Sequence, residues 1–345
     1  MPKPLPTCAE PHLDRVYKTA HGVDIPLRIF PAAKPSGPWL LWLHGGGFIG
    51  GKHATPNAWV VPAFHGRGYT VVSAAYRFLP QASFGDILTD VKDAFGWCRA
   101  NLGSIVPGTS VDIYAVGGDS AGGALACLAG HELSPRPRAI LNLYGLVDAT
   151  DPSFHVASGR KATSGAFSRE EIEAAIRDRD PANAVTICPW EWEMEPVLPL
   201  AELRRCWGMP AFEVTAAHRL RGDMNAVLGS EGRLVDTLVR RDMLTDEAYQ
   251  RALVDASAAK RPLGPEYPAT FFLHGDADVV VPVSQSRDMA AALRGLGVPV
   301  GEVYDAAGGH CFDVEIEGEE DAGWDVYVVP AVQFICAHVE GRASN

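Results

Sequence analysis

Basic residues are in short supply: 30 Lys and Arg stand against 42 Asp and Glu, giving a formal net charge of −12 and a sequence pI of about 5.4. That deficit argues against nucleic acid or an anionic membrane surface as a partner, and it chiefly promotes solubility. No apolar run approaches the roughly 20 residues that a spanning helix needs. Residues 1–10 lack the apolar stretch of a secretory signal, so a cytoplasmic protein is expected. The seven cysteines (8, 98, 127, 188, 206, 311 and 336) are scattered and include no C-x-x-C pair, which reads as reduced core thiols and not a disulfide framework. No His/Cys/Asp group has metal-ligand spacing, and neither a P-loop nor a G-x-G-x-x-G run is present. Metal and cofactor are therefore both expected to be absent. Internal repeats and low-complexity segments are also missing.

What is present is a chain of 345 residues, 47% hydrophobic, long enough for a large core. Alternating residues around Gly22-Val-Asp24 read as an opening hairpin over 15–30. Continuous apolar runs at 39–43 and 69–76 read as doubly buried strands. Apolar spacing over 84–102 predicts a helix packed on the sheet. Strands follow at 111–116, 139–144, 269–273 and 300–304, with helices at 124–133, 286–296 and about 326–339. Strands alternating with helices imply an α/β fold with a doubly wound, mostly parallel sheet.

The alternation breaks over 150–262, where charged helical stretches (168–179 and 234–258) surround the patch Cys188-Pro-Trp-Glu-Trp-Glu-Met194. That is too long for a connecting loop, so a mainly helical cap inserted over the strand C-termini is expected. The division is one discontinuous catalytic domain, 13–149 and 263–343, with a cap or lid at 150–262.

Gly118-Asp-Ser-Ala-Gly122 fits G-x-S-x-G between a strand and a small-residue helix. A serine on such a strained strand-to-helix turn needs tiny neighbours, and its hydroxyl projects above the sheet at a helix N-terminus. Ser120 is the candidate nucleophile. His44-Gly-Gly-Gly-Phe48 follows another strand, and consecutive glycines let a loop turn its amides inward. Acyl transfer needs such N–H donors for the developing oxyanion, so Gly45, Gly46, Gly47 and Ala121 are candidates for an oxyanion hole.

A base and its orienting carboxylate should follow the serine. His310, in the small-residue loop Asp305-Ala-Ala-Gly-Gly-His310, is preferred over His274 at a strand end and over His338 in the apolar last helix. Asp278 and Asp276 compete as the acid; Asp278 stands where the loop should turn over the site, and Asp276 reads as a loop residue. Asp305 is a further, blander carboxylate. Phe48, Trp190 and Trp192 could line an acyl pocket, as could Trp207, although core packing explains each tryptophan equally well. Glu191 and Glu193 read as solvated surface, and Cys311 as a small packing residue.

Together with Tyr76-Arg-Phe-Leu-Pro80, the motifs His44-Gly-Gly-Gly-Phe48 and Gly118-Asp-Ser-Ala-Gly-Gly123 resemble the hormone-sensitive-lipase branch of the α/β-hydrolase fold, over about 38–145 and 268–312. The resemblance implies oxyanion donors at Gly46, Gly47 and Ala121 and esters of modest size as substrates. Two departures stand out. The acid sits in Gly275-Asp-Ala-Asp-Val-Val-Val-Pro282, more like dienelactone-hydrolase and peptidase relatives, and little chain precedes the first strand to build a cap. The expected activity is hydrolysis of a small, largely apolar carboxylic ester or lactone through an acyl-enzyme. Acyl transfer, cyclisation or lyase chemistry with the same residues, and a non-catalytic receptor on the same scaffold, are the alternatives. Oligomeric state is open.

Overall fold

A computed structural model describes residues 7–9, 11–35, 37–158, 167–189 and 199–341. Eight strands form one sheet: β1 (Leu13–Ala20), β2 (Val23–Phe30), β3 (Trp39–Leu43), β4 (Thr70–Ala74), β5 (Tyr114–Asp119), β6 (Ala139–Leu143), β7 (Ala269–Gly275) and β8 (Val300–Asp305). Their order is β1-β2-β4-β3-β5-β6-β7-β8. Only the β1–β2 and β2–β4 pairs are antiparallel; β4-β3-β5-β6-β7-β8 are parallel. This is the α/β-hydrolase fold.

Parallel strands joined by helices are covered on both faces, so their sequences should be apolar throughout. Accordingly β3, β4, β6 and β7 are buried at every position. One apolar core lies on each face of the sheet. One face is covered by α2 (Phe84–Ile105), α3 (Ala121–Glu132) and α9 (Ser284–Gly295); the other carries α1 (Val60–His65) and α10 (Val329–Glu340). Helix α2 starts where Ser83 and Asp86 exchange side-chain and backbone hydrogen bonds, a capping box worth about 1 kcal/mol. Helix α1 has no counterpart in the sequence reading, because six residues carry too little periodicity.

Strand β5 lies three residues later than its apolar run suggested, and α3 begins at Ala121 instead of 124. The reason is steric. Gly118 and Gly122 sit where β3 passes the turn, and a Cβ on Gly122 would lie 1.9 Å from Leu43 O. Glycine, usually a strand breaker, is what lets β5 run on into the turn beside β3.

The segment between β6 and β7 holds α4 (Arg169–Arg177), α5 (Leu200–Trp207), α6 (Ala216–Ser230), α7 (Leu234–Leu238) and α8 (Asp246–Asp255). It docks on loops at the C-terminal ends of the central strands. Cys188 and Gly51 exchange backbone hydrogen bonds at 2.8 Å, and Phe78 N–H donates to Val185 O at 2.9 Å. Arg221 of α6 is buried and donates to Ile49 O at 3.1 Å and Leu79 O at 2.7 Å. Burial drops its guanidinium to about 10. Arg28 of β2 ties the far side: it grips Asp14 and donates to Ala54 O, Trp207 O and Gly208 O. Among the described residues no helix is long and apolar enough to cross a membrane.

Candidate active site

The turn between β5 and α3 forces Ser120 to φ 51° and ψ −118°, a conformation costing a non-glycine residue about 1–3 kcal/mol. Two backbone bonds hold it there: Ser120 N–H donates to Leu143 O at 2.9 Å, and Ser120 O accepts from Ala124 N–H at 3.1 Å. The hydroxyl thus stands above the C-terminal edge of the sheet, at the N-terminus of α3.

The loop after β8 brings His310 to it, with Nε2 3.0 Å from Ser120 Oγ. On its other side Nδ1 lies 2.7 Å from Asp278 Oδ2. A carboxylate only accepts, so Nδ1 carries the proton and Nε2 is left to accept from the serine. Asp278 Oδ1 accepts from the N–H groups of Val280 and Val281, at 2.8 and 2.9 Å. His274 reaches the other oxygen at 3.2 Å, with its own Nδ1 2.8 Å from Ser286 Oγ. Burial works against ionising Asp278, yet the hydrogen bonds from His274 and His310 and the Val281 N–H hold its carboxyl well below the usual range.

The competing candidates lie elsewhere. Asp276 points outward to Arg287 at 2.7 Å. Asp305 accepts from Ala307 N–H and the Tyr327 hydroxyl. His338 Nδ1 stays on its own helix, 2.9 Å from Phe334 O. His274 is fully buried beneath Asp278. Cys311 is half-buried, with burial and the nearby Asp119 and Asp313 pushing its thiol up.

The glycine loop is divided in its use. Gly45 donates its N–H to Asp119 Oδ1 at 3.0 Å, so that amide is engaged and does not face a substrate. Gly46 and Gly47 adopt φ +114° and +61°, and among the described residues their N–H groups have no acceptor. Ala121 is the first residue of α3, so its N–H has no partner a turn earlier. Tyr76 locks the loop from below: its hydroxyl donates to His44 O at 2.7 Å and its ring stacks on the His44 imidazole at 4.5 Å. Burial lowers His44 to about 4. Arg77 of the same motif pairs with buried Asp90 at 2.8 Å, and Leu79 N–H donates to Phe48 O at 2.9 Å.

Phe48 is buried in the main core at φ +61°. Trp207 is buried edge-on to Phe212. Trp190 and Trp192, with Glu191 and Glu193, lie outside the described residues. Over the glycine loop stands α6, whose Asn225 Oδ1 lies 2.9 Å from where a Cβ on Gly47 would be. The sequence reading missed Asn225, Arg221 and a group comprising half-buried Asp119 with fully buried Asp313 and Tyr144. Asp119 alone carried a signal, standing beside the serine. Burial and the neighbouring Asp313 push its carboxyl up to about 7 against the pull of the Gly45 N–H and His310. Among the described residues no three His, Cys, Asp or Glu side chains are grouped to hold a metal ion.

A family model described as the alpha/beta hydrolase fold matches residues 40–201, and one of the prolyl oligopeptidase family matches 231–322, the stretch bearing Asp278 and His310. The chain is 26% identical to the non-reducing polyketide synthase ascC of Acremonium egyptiacum over 94% of its own length but 15% of that protein. It is 24% identical to Esterase LipC of Mycobacterium tuberculosis, over 81% of this chain and 54% of the other. It thus spans about one seventh of the polyketide synthases it matches and about half of LipC. Esterase 2 of Thermogutta terrifontis, solved phosphoramylated by tabun, superposes with a TM-score of 0.56 at 17% identity, covering 97% of both chains. With this sheet order, serine turn and matched segment, the chain has the α/β-hydrolase fold, and its motifs resemble the hormone-sensitive-lipase branch of that fold.

Proposed function

We propose that this chain is a serine hydrolase that cleaves a carboxylic ester or lactone of a small, largely apolar substrate. The observation that carries the reading is the continuous relay from Ser120 Oγ through His310 to Asp278, at 3.0 and 2.7 Å. Ser120 attacks the acyl carbon as His310 Nε2 takes its proton, and Asp278 holds the tautomer and offsets the imidazolium charge. The Gly46, Gly47 and Ala121 amides receive the oxyanion, each such donor being worth about 3–4 kcal/mol in the transition state. His310 then returns its proton to the leaving alcohol and activates the water that frees the acid. The segment 150–262 acts as the cap, with Asn225 and Leu234 closing over Gly47. Ser120→Ala should lower kcat on p-nitrophenyl butyrate by about 10⁴–10⁶ and abolish labelling by a fluorophosphonate; near-native turnover by that variant would end the reading.

A second reading has one specific support: the polyketide synthases align along nearly the whole chain. On that reading the same serine accepts a polyketide-type acyl group from a thioester and passes it to water, an alcohol or a nucleophile within the acyl chain. A simple acyl thioester, compared with its oxygen ester in ¹⁸O-water, separates the two. Preference for the thioester and a product without solvent oxygen would favour transfer or cyclisation.

A further inference from the structure

Beyond His310 lies a buried carboxylate that the relay does not use. Asp313, three residues beyond His310, is completely buried. Its Oδ2 accepts from the Trp59 indole N–H at 2.7 Å and the Asn57 amide at 2.9 Å, and its Oδ1 accepts from the Tyr144 hydroxyl at 2.8 Å. All three donors are neutral. Desolvating a carboxylate is costly, and neutral donors offset only part of that cost, so a cluster of this kind needs a reason to persist.

Its surroundings supply one. Tyr144 touches both Asp313 and the histidine: its hydroxyl is on Asp313, while its ring stands 5.0 Å from the His310 imidazole at 65°. Tyr144 and Cys311 adopt positive φ, 40° and 62°, as Ser120 does. Three strained non-glycine residues thus meet around one histidine, and strain of this kind persists where function holds it. Asp119 joins from the end of β5, close enough for Asp313 to help push its carboxyl up and for His310 to pull it down.

We infer that Asp313 is a positioning residue for His310: Trp59, Asn57 and Tyr144 fix its charge behind the imidazole, where it anchors the loop and stabilises the imidazolium formed when Ser120 is deprotonated. The inference rests on the hydrolase reading above. The groups around His310 are Ser120 and Asp119 from the β5 end, Tyr144 from the β6 end and Asp278 backed by His274 from the β7 end, with Cys311 next to it in its own loop and Asp313 reached through Tyr144. Asp278 serves the Nδ1 edge; Asp313 acts through Tyr144, which meets the ring itself.

A negative charge behind the ring favours its protonated form, so removing that charge should move the acid limb of kcat/KM to lower pH. Asp313→Asn keeps the size and removes the charge. On p-nitrophenyl butyrate we expect its acid limb to fall by about half a pH unit or more, with kcat reduced about tenfold. Asp313 helps hold the Asp119 carboxyl up, so removing the Asp313 charge lets Asp119 ionise more readily and restores part of that charge. The double variant Asp119→Asn/Asp313→Asn should therefore shift the limb further than either single change. A purely structural role would lower kcat without moving the limb, and an unmoved or upward limb in Asp313→Asn or in the double variant overturns the inference. Should Asp313→Asn fail to fold, Tyr144→Phe carries the test. It keeps the ring but cuts the hydrogen bond through which Asp313 acts, so the limb should fall as in Asp313→Asn though by less, and an unmoved or rising limb overturns the inference. Loss of Ser120 dependence would instead sink the hydrolase reading itself, whichever way the limb moves.

Discussion

Strands β3, β4, β6 and β7 are buried at every residue, whereas α4 of the segment 150–262 buries only Ile172 and Ile176 and α8 only Leu253. The sheet is held by close packing in which a single added atom is felt. Much of the surface of the inserted segment is instead laced by ion pairs: Arg169 and Arg233 each bridge Glu173 and Glu231, at 2.5–2.9 Å. On the proposed function, the part that must hold reacting atoms to a fraction of an ångström is built from obligatory backbone geometry. The part that would select a substrate is built from side chains that can be exchanged cheaply.

One substitution type made in both regions tests that contrast most severely. A Cβ on Gly122 would lie 1.9 Å from Leu43 O and 2.5 Å from Leu43 C, backbone atoms that cannot swing away. Gly122→Ala should therefore cost about 3 kcal/mol or more and abolish turnover, since any relief tilts α3 away from β3 and moves Ser120. Gly229, in the last turn of α6, has nothing within 4 Å of its added Cβ. Gly229→Ala should be neutral or stabilise by about 0.5–1 kcal/mol, with activity unchanged. Denaturant midpoints of the two variants give the answer; equal losses would mean that the two regions are packed alike.

Acid should separate the regions next. Burial lowers His44 to about 4, and burial aided by the Arg28 cation lowers His53 to about 3. An unfolded histidine titrates near 6.5, so the unfolded chain takes up protons that the folded one refuses. The contribution of neutral burial is complete above about 6.5 and is lost as pH falls from there toward 4 for His44 and 3 for His53. For His44 the full effect is about 3 kcal/mol. Unfolding free energies at pH 7, 5.5 and 4.5 should fall in wild type and fall less steeply in His44→Gln. Parallel slopes would show that the imidazole is not the group being titrated.

The same contrast explains what the sequence disclosed. The sheet, the serine turn and the glycine loop are local constraints, each written in consecutive residues such as Gly117-Gly-Asp-Ser-Ala-Gly-Gly123. The parallel pairing follows from the alternation of elements, and the three-residue displacement of β5 arose because glycines inside a strand look like its end. Asp278 could be preferred over Asp276 from position alone, but its hydrogen bonds to Val280, Val281 and His274 depend on a loop conformation that spacing does not carry. Asp313 was invisible. Its partners are Trp59, Asn57 and Tyr144, which lie 254, 256 and 169 residues away, and nothing periodic joins them. Arg221 was hidden for the same reason: a cation in a charged helix reads as surface until it is seen holding Ile49 O and Leu79 O. For Gly45 the motif named the right loop, but only the position of Asp119 shows that its amide is engaged.

The ion lattice of the inserted segment should yield the smallest effect. Hydrogen bonding from Arg169, then from Arg233, outweighs burial and holds Glu231 at about 2. Its folded value lies below the unfolded one of about 4.3, so its contribution is complete above that and is lost as pH falls toward 2. The side chains in the lattice are partly exposed, so screening keeps the whole effect under about 1 kcal/mol. Glu231→Gln should lower the melting temperature by only about 1–2 °C at pH 7. The difference should shrink in 0.5 M salt and vanish near pH 2, leaving Ser120-dependent turnover intact. A loss of several degrees that salt does not weaken would mean that this lattice is as integral to the fold as the sheet, and the proposed division of labour between the two regions would fail.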